Sequence, residues 1–251
     1  MRPCISRIGQ TFYYLGKDLS EGPLPAVFFF ALSAEESLLT DPFNQAVEIL
    51  KEHPIRIFSI DLPAHGAGHR AVDAIKVWSE DLSSGIDPLT PFLDATALSI
   101  ESFLAEGILL PEQVAVMGLS RGAFVALEIG ARAPFIKNIL GFAPLIQLSQ
   151  AKEINSLAHN PLVQGLDVNN KIADLIDKKI RLYISNRDTR VSTKVCFDFV
   201  YTLAEIAHNH KIRSPHIELL LTPPIGHQGH GTSKAVFEEG ACWLLHLWNL
   251  V

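Results

Sequence analysis

Val114-Ala115-Val116-Met117-Gly118-Leu119-Ser120-Arg121-Gly122-Ala123 is the stretch whose reading decides the fold. Its first half is a short apolar run of the kind that forms a buried strand. Its second half opens a segment rich in Ala and Leu at helical spacing, and between the two stands Gly-x-Ser-x-Gly. A serine held in a tight strand-to-helix turn takes a strained backbone conformation while its neighbours approach closely. Glycines at 118 and 122 remove the side chains that would clash there. Such a turn lifts the Ser120 hydroxyl above the sheet and aims the positive end of the following helix at it. The Arg121 backbone N–H is then set to donate to an oxyanion.

Outward from this turn, short apolar runs alternate with longer helical patterns. That alternation predicts an α/β fold, a doubly wound and mostly parallel sheet flanked by helices. Strands are expected at 25–32, 55–62, 113–119, 136–142, 180–185 and 216–221, and an antiparallel edge strand within 7–15. Helical patterns cover 42–52, 90–106, 121–132, 168–178, 194–210 and 232–248, the first opening on Asp41-Pro42 as an N-cap followed by proline. No repeat or Pro/Gly/Ser-rich linker divides the chain, so one domain over 1–251 is expected, with a short lid-like insertion at about 150–168.

A serine hydroxyl is a weak nucleophile. It needs a base, and the base needs an orienting acid. The strand at 180–185 runs into Asn186-Arg187-Asp188-Thr189-Arg190-Val191, which puts Asp188 on the loop at its C-terminal end. The next strand runs into Ile225-Gly226-His227-Gln228-Gly229-His230-Gly231. His227, directly after Gly226 at the strand exit, is the expected base, and His230, at the start of the last helix, is the alternative. A His-x-x-His metal pair lacks a nearby carboxylate or cysteine to complete it, so no metal or cofactor is expected.

Other residues read more plainly. Glu35-Glu36 suits a first helical turn, or a cationic substrate group. Gly66 and Gly68 separate His65 from His69, so these two do not form a metal-binding helix face. Arg187 and Arg190 flank the acid and are read as solvated or paired, with carboxylate recognition as the alternative. Trp78 is a core candidate.

The 251 residues are 48% hydrophobic and 19% charged, and 21 Lys+Arg against 27 Asp+Glu leave a formal charge of −6. A mildly acidic chain without Lys/Arg blocks argues against nucleic acid. The run Ala26-Val27-Phe28-Phe29-Phe30-Ala31-Leu32 is too short for a membrane span and reads as a buried strand. Cys4, Cys196 and Cys242 are too few and scattered for a disulfide framework. With no signal-like run after Met1, a cytoplasmic protein without a membrane partner is expected. The sequence assigns no oligomeric state.

The chain resembles the α/β-hydrolase superfamily, and within it the compact prolyl-oligopeptidase-like and dienelactone-hydrolase-like serine hydrolases. The resemblance rests on Gly-Leu-Ser-Arg-Gly-Ala-Phe at 118–124, Gly-Phe-Ala-Pro-Leu at 141–145, Asn-Arg-Asp-Thr-Arg-Val-Ser-Thr at 186–193 and Ile-Gly-His at 225–227. Asp61-Leu62-Pro63-Ala64-His65-Gly66 matches the superfamily's Asp-x-Pro-x-His-Gly loop. It implies Ser120, Asp188 and His227 as a catalytic triad acting on a small carboxylic ester or short peptide through an acyl-enzyme. One departure stands out: where members usually carry His-Gly after the first central strand, this chain has Ala31-Leu32-Ser33-Ala34. The second oxyanion donor is therefore expected from the backbone N–H of Leu32 or Ser33. Alternatives left open are a peptidase, amidase or thioesterase on the same triad, and a non-catalytic ligand-binding protein of this fold.

Overall fold

The computed structural model describes every residue except Ala67. Eight strands and nine α-helices follow one another along the described residues. They run β1 (Arg2–Ile5), β2 (Thr11–Leu15), β3 (Leu24–Phe30), α1 (Ala34–Leu39), α2 (Gln45–Leu50), β4 (Arg56–Ser59), α3 (Ala74–Ser83) and α4 (Thr90–Ala105). Then come β5 (Leu109–Leu119), α5 (Arg121–Arg132), β6 (Asn138–Phe142), α6 (Pro161–Gly165), α7 (Ile172–Leu175), β7 (Lys179–Ser185), α8 (Thr193–Asn209), β8 (Ile217–Thr222) and α9 (Lys234–Leu247). The strands form one sheet in the order β1-β2-β4-β3-β5-β6-β7-β8. From β4 to β8 every pairing is parallel, and the N-terminal hairpin adds two antiparallel strands at one edge.

Strand alternation divides the apolar residues between two faces. Phe28, Phe30, Phe58 and Val116 point to the side covered by α3, α4, α5, α7 and α8, where Phe28 and Phe58 stack with ring centroids 4.8 Å apart. Val27, Phe29, Met117 and Phe142 point to the side covered by α1, α2 and α9. Trp78 is fully buried in the first of these cores. Arg56 is buried at the sheet's N-terminal side and spends its guanidinium on main-chain carbonyls of Lys17, Asp18, Gly22 and Ile108, fastening the hairpin connection to the central strands.

The local differences from the sequence reading have identifiable causes. Residues 41–44 form a turn, with the N–H groups of Phe43 and Asn44 donating to the Thr40 carbonyl, so the helix begins at Gln45 rather than at Pro42. An additional helix, α1, is nucleated by a capping box. Ser33 Oγ accepts the Glu36 N–H at 3.2 Å, and the Glu36 carboxylate accepts the Ser33 N–H at 3.3 Å. A second unpredicted helix, α3, is amphipathic and buries Ile75, Trp78 and Leu82. The pattern at 168–178 resolves into a short 3-10 turn followed by α7. Segment 150–168 packs Ile154, Val163 and Leu166 into the core and bonds to α3, with Ser79 Oγ donating to the Glu153 carbonyl at 2.6 Å.

Candidate active site

Ser120 stands between β5 and α5 with φ 55° and ψ −116°, the strained turn that its motif predicts. A Cβ on Gly118 would overlap the Gly122 main chain, and one on Gly122 would overlap the Phe30 carbonyl. Only glycines let β5, α5 and the end of β3 meet this closely. The Ser120 N–H donates to the Phe142 carbonyl at 2.8 Å, and its own carbonyl accepts from the N–H groups of Ala123 and Leu145. The serine backbone is therefore held on both sides.

Asp188 lies at the C-terminal end of β7, buried. Its Oδ1 accepts the N–H groups of Arg190 at 2.9 Å and Val191 at 3.0 Å. Thr193 Oγ1 accepts the Asp188 N–H at 2.8 Å and donates to the Ser185 carbonyl at 2.7 Å. These bonds leave Oδ2 facing the end of β8.

The side chain that meets it is His230, not His227. His230 Nδ1 is 2.7 Å from Asp188 Oδ2, and its Nε2 is 2.9 Å from Ser120 Oγ. With the Nδ1–H donating a hydrogen bond to the carboxylate, Nε2 presents its lone pair to the serine hydroxyl. His227 is exposed at the tip of a turn closed by the Gly229 N–H donating to the Gly226 carbonyl at 3.1 Å. The expectation that His227 faces Ser120 is thus corrected, because the turn spends residues 226–229 on reversing the chain before a side chain can point inward. The turn is pinned to the acid loop: Thr189 N–H donates to the Gln228 carbonyl at 2.9 Å and Ser185 Oγ donates to the Gly229 carbonyl. Gly229 has φ 70°, and a Cβ there would overlap the Arg187 carbonyl. Each histidine follows a glycine at positive φ, and the two differ only in tertiary surroundings, since a Cβ at 226 would meet nothing within 4 Å.

The expected oxyanion donors divide. Arg121 opens α5, where its N–H has no intrahelical acceptor and stands beside Ser120. The N–H groups of Leu32 and Ser33 are committed elsewhere. Leu32 donates to Ser37 Oγ at 3.1 Å and Ser33 to Glu36 Oε2 at 3.3 Å. The correction has a clear cause: the α1 capping box takes the Ser33 N–H and the Ser37 hydroxyl of the same helix takes that of Leu32. Asp61 steadies the same loop by accepting the Ala34 N–H at 2.7 Å.

The Arg121 side chain is buried beneath the loop that follows β4. Its guanidinium donates to His65 Nε2 at 3.1 Å and to the Ala71 carbonyl at 2.9 Å. His65 Nδ1 is 3.0 Å from the Pro63 carbonyl, which also accepts the Trp78 indole N–H. Burial, reinforced by the Arg121 charge, pushes the His65 pKa down to about 4 and keeps the ring neutral, an acceptor for the arginine. Burial pushes Arg121 down to about 10, the neighbouring Arg190 charge adding to the effect.

Two cavities flank Ser120. The larger, about 400 Å³, is mostly apolar and is lined by Ala31, Leu32, Phe43, Ile225 and Phe237 as well as Ser120 and His230. The smaller, about 110 Å³, is lined by polar groups that include Gln150, Lys152, Glu153, Thr189 and Gln228. Segment 150–168 thus supplies one wall of the smaller cavity. Arg190 lines both. Among the described residues no group of three or more His, Cys, Asp or Glu side chains is placed to hold a metal ion, and no helix is long and apolar enough to cross a membrane.

No protein-family model and no curated relative matches the chain. Solved structures do match. The 2,6-dihydroxy-pseudo-oxynicotine hydrolase is similar over 100% of this chain and 67% of its own, at 15% identity and a TM-score of 0.68. A cold-adapted esterase from an Arctic intertidal metagenomic library is similar over 100% of this chain and 93% of its own, at 17% identity and a TM-score of 0.64. Prolyl oligopeptidase B from Galerina marginata matches over 100% of this chain at 14% identity and a TM-score of 0.66, and the chain spans 36% of that protein's length. The chain has the α/β-hydrolase fold.

Proposed function

We propose that this chain is a serine hydrolase that cleaves a carboxylic ester through an acyl-enzyme, with Ser120 as nucleophile, His230 as base and Asp188 as the acid that orients it. The observation that carries the reading is the continuous pair of hydrogen bonds, Ser120 Oγ to His230 Nε2 at 2.9 Å and His230 Nδ1 to Asp188 Oδ2 at 2.7 Å. The esterase and the prolyl oligopeptidase of the same fold support it.

Ser120 Oγ attacks the carbonyl carbon while its proton passes to His230 Nε2. The carbonyl π electrons move onto oxygen, which the Arg121 N–H and the N-terminal end of α5 stabilise. Asp188 stabilises the imidazolium but does not take its proton. The imidazolium then protonates the leaving alkoxide as the carbon–oxygen bond breaks, leaving an acyl ester on Ser120. Water, deprotonated by His230, attacks this ester and releases the carboxylic acid, and the serine recovers its proton. The Asp188 carboxyl is fully inside the protein, so its attraction for the imidazolium is weakly screened.

Labelling with a fluorophosphonate, followed by intact mass and peptide mapping, tests the reading. One adduct on Ser120, absent from Ser120→Ala, is expected; a folded wild-type protein that takes no label overturns it and favours a ligand-binding role. Turnover of an aryl ester, an aminoacyl amide and an acyl thioester then separates esterase from peptidase and thioesterase, with the ester expected to be fastest.

A further inference from the structure

We propose that the substrate carries a carboxylate, and that Arg190 receives it beside the scissile carbonyl. The inference rests on the serine hydrolase reading and names the class of substrate.

Arg190 is half-buried at the mouth of the site and lines both cavities that meet at Ser120. Its main chain is fixed, because its N–H donates to Asp188 Oδ1 at 2.9 Å. Its guanidinium is not spent. Arg2, Arg7, Arg70, Arg132 and Arg181 each face a carboxylate, and Arg56 is saturated by main-chain carbonyls. Among the described residues Arg190 has neither kind of acceptor. A half-buried guanidinium with no acceptor from the chain is open to one that a ligand supplies.

The surroundings fit an anion. Arg121 lies close enough for its charge to interact with that of Arg190, and it bonds to a neutral ring and a carbonyl rather than to a carboxylate. Lys152 joins Arg190 as the second cation lining the smaller cavity, and Glu153 is the one carboxylate lining it. Glu153 and, from the α1 cap, Glu36 also act on Arg121, and the Glu36 carboxylate accepts from Ser33. Asp188 is occupied by His230. Among the residues that line the two cavities, Arg121, Arg190 and Lys152 stand against Glu153 alone, so the linings carry more positive than negative charge in a chain whose net charge is −6.

Shape adds to charge. The cavity of about 110 Å³ has room for little more than a small polar group, whereas the apolar one of about 400 Å³ takes a hydrocarbon or aromatic portion. A guanidinium presents paired N–H donors that match the two oxygens of a carboxylate. The arrangement selects an ester with an apolar part on one side and a carboxylate within reach of Arg190 on the other.

Two matched pairs of esters test this. On the acyl side, the p-nitrophenyl monoester of adipic acid is compared with that of adipamic acid. On the leaving-group side, the butyrate ester of 4-hydroxybenzoate is compared with that of 4-hydroxybenzamide. In at least one pair the carboxylate ester is expected to exceed its carboxamide twin in kcat/KM by about 10- to 100-fold. Arg190→Gln is expected to bring that ratio close to one, and Arg190→Lys to restore part of it. Ratios near one in the wild type, or a preference that survives Arg190→Gln, overturn the proposal. Turnover of the carboxamide esters reports separately on the hydrolase reading. If no ester is cleaved, that reading fails alone, and the anion site is read from thermal stability. Hexanoate raising the Tm more than hexanamide does, in wild type but not in Arg190→Gln, supports the site; equal shifts overturn it.

Discussion

His65 shows how a histidine can serve the site without exchanging a proton. Its neutral ring accepts from Arg121 and donates to Pro63, joining the loop after β4 to the helix that carries the serine. Its folded pKa is about 4 against an ordinary 6.5, so between these values the unfolded chain binds the proton and the folded one does not. Stability from this group is therefore present above pH 6.5 and is lost as pH falls toward 4, by up to about 3 kcal/mol. Urea denaturation across that window is expected to show the loss, and His65→Gln is expected to flatten that part of the slope. Ser120 and Asp188 could be placed from sequence because each lies within three residues of a strand's end and its position depends on close neighbours. Arg190 could be placed beside the acid but not aimed, since its orientation depends on cavities built by several distant segments.

At the scale of elements, the decisive piece is the connection from β8 to α9. Two histidines three residues apart compete there, and their order along the chain does not say which one turns inward. The choice belongs to Gly229, which lets the chain pass the Arg187 carbonyl and delivers His230 to Asp188. Gly229→Ala puts a side chain both at positive φ and against that carbonyl. It is expected to displace His230 and lower kcat/KM about 100-fold, with a loss of about 1–2 kcal/mol in stability. Ester turnover and denaturation midpoints measure the two effects. The β3–α1 connection gives the complementary case. Ser33-Ala34-Glu35-Glu36 is a legible capping box, and reading it as a helix start would have withdrawn Ser33 as an oxyanion donor, whereas Leu32 is withdrawn by the Ser37 hydroxyl.

For the molecule as a whole, the alternation of apolar runs with helical patterns was enough to give the parallel sheet, because burial on both faces leaves strands few other sequences. Of the antiparallel edge, only β2 falls within the expected 7–15, and the exposed β1 was missed. The order of strands was not contained in that pattern, and it is the order that brings the site together. The ends of β5, β7 and β8 lie on one edge of the sheet, so residues 120, 188 and 230 converge although 110 positions separate the first from the last. The same assembly leaves His227 outside, and this contrast offers the most direct test of the account. The rate at which a fluorophosphonate labels Ser120 should be measured in the wild type, in His230→Ala and in His227→Ala. The account predicts a loss of at least about 1,000-fold for His230→Ala and a rate close to wild type for His227→Ala. Loss of labelling in His227→Ala, with His230→Ala unaffected, would contradict it.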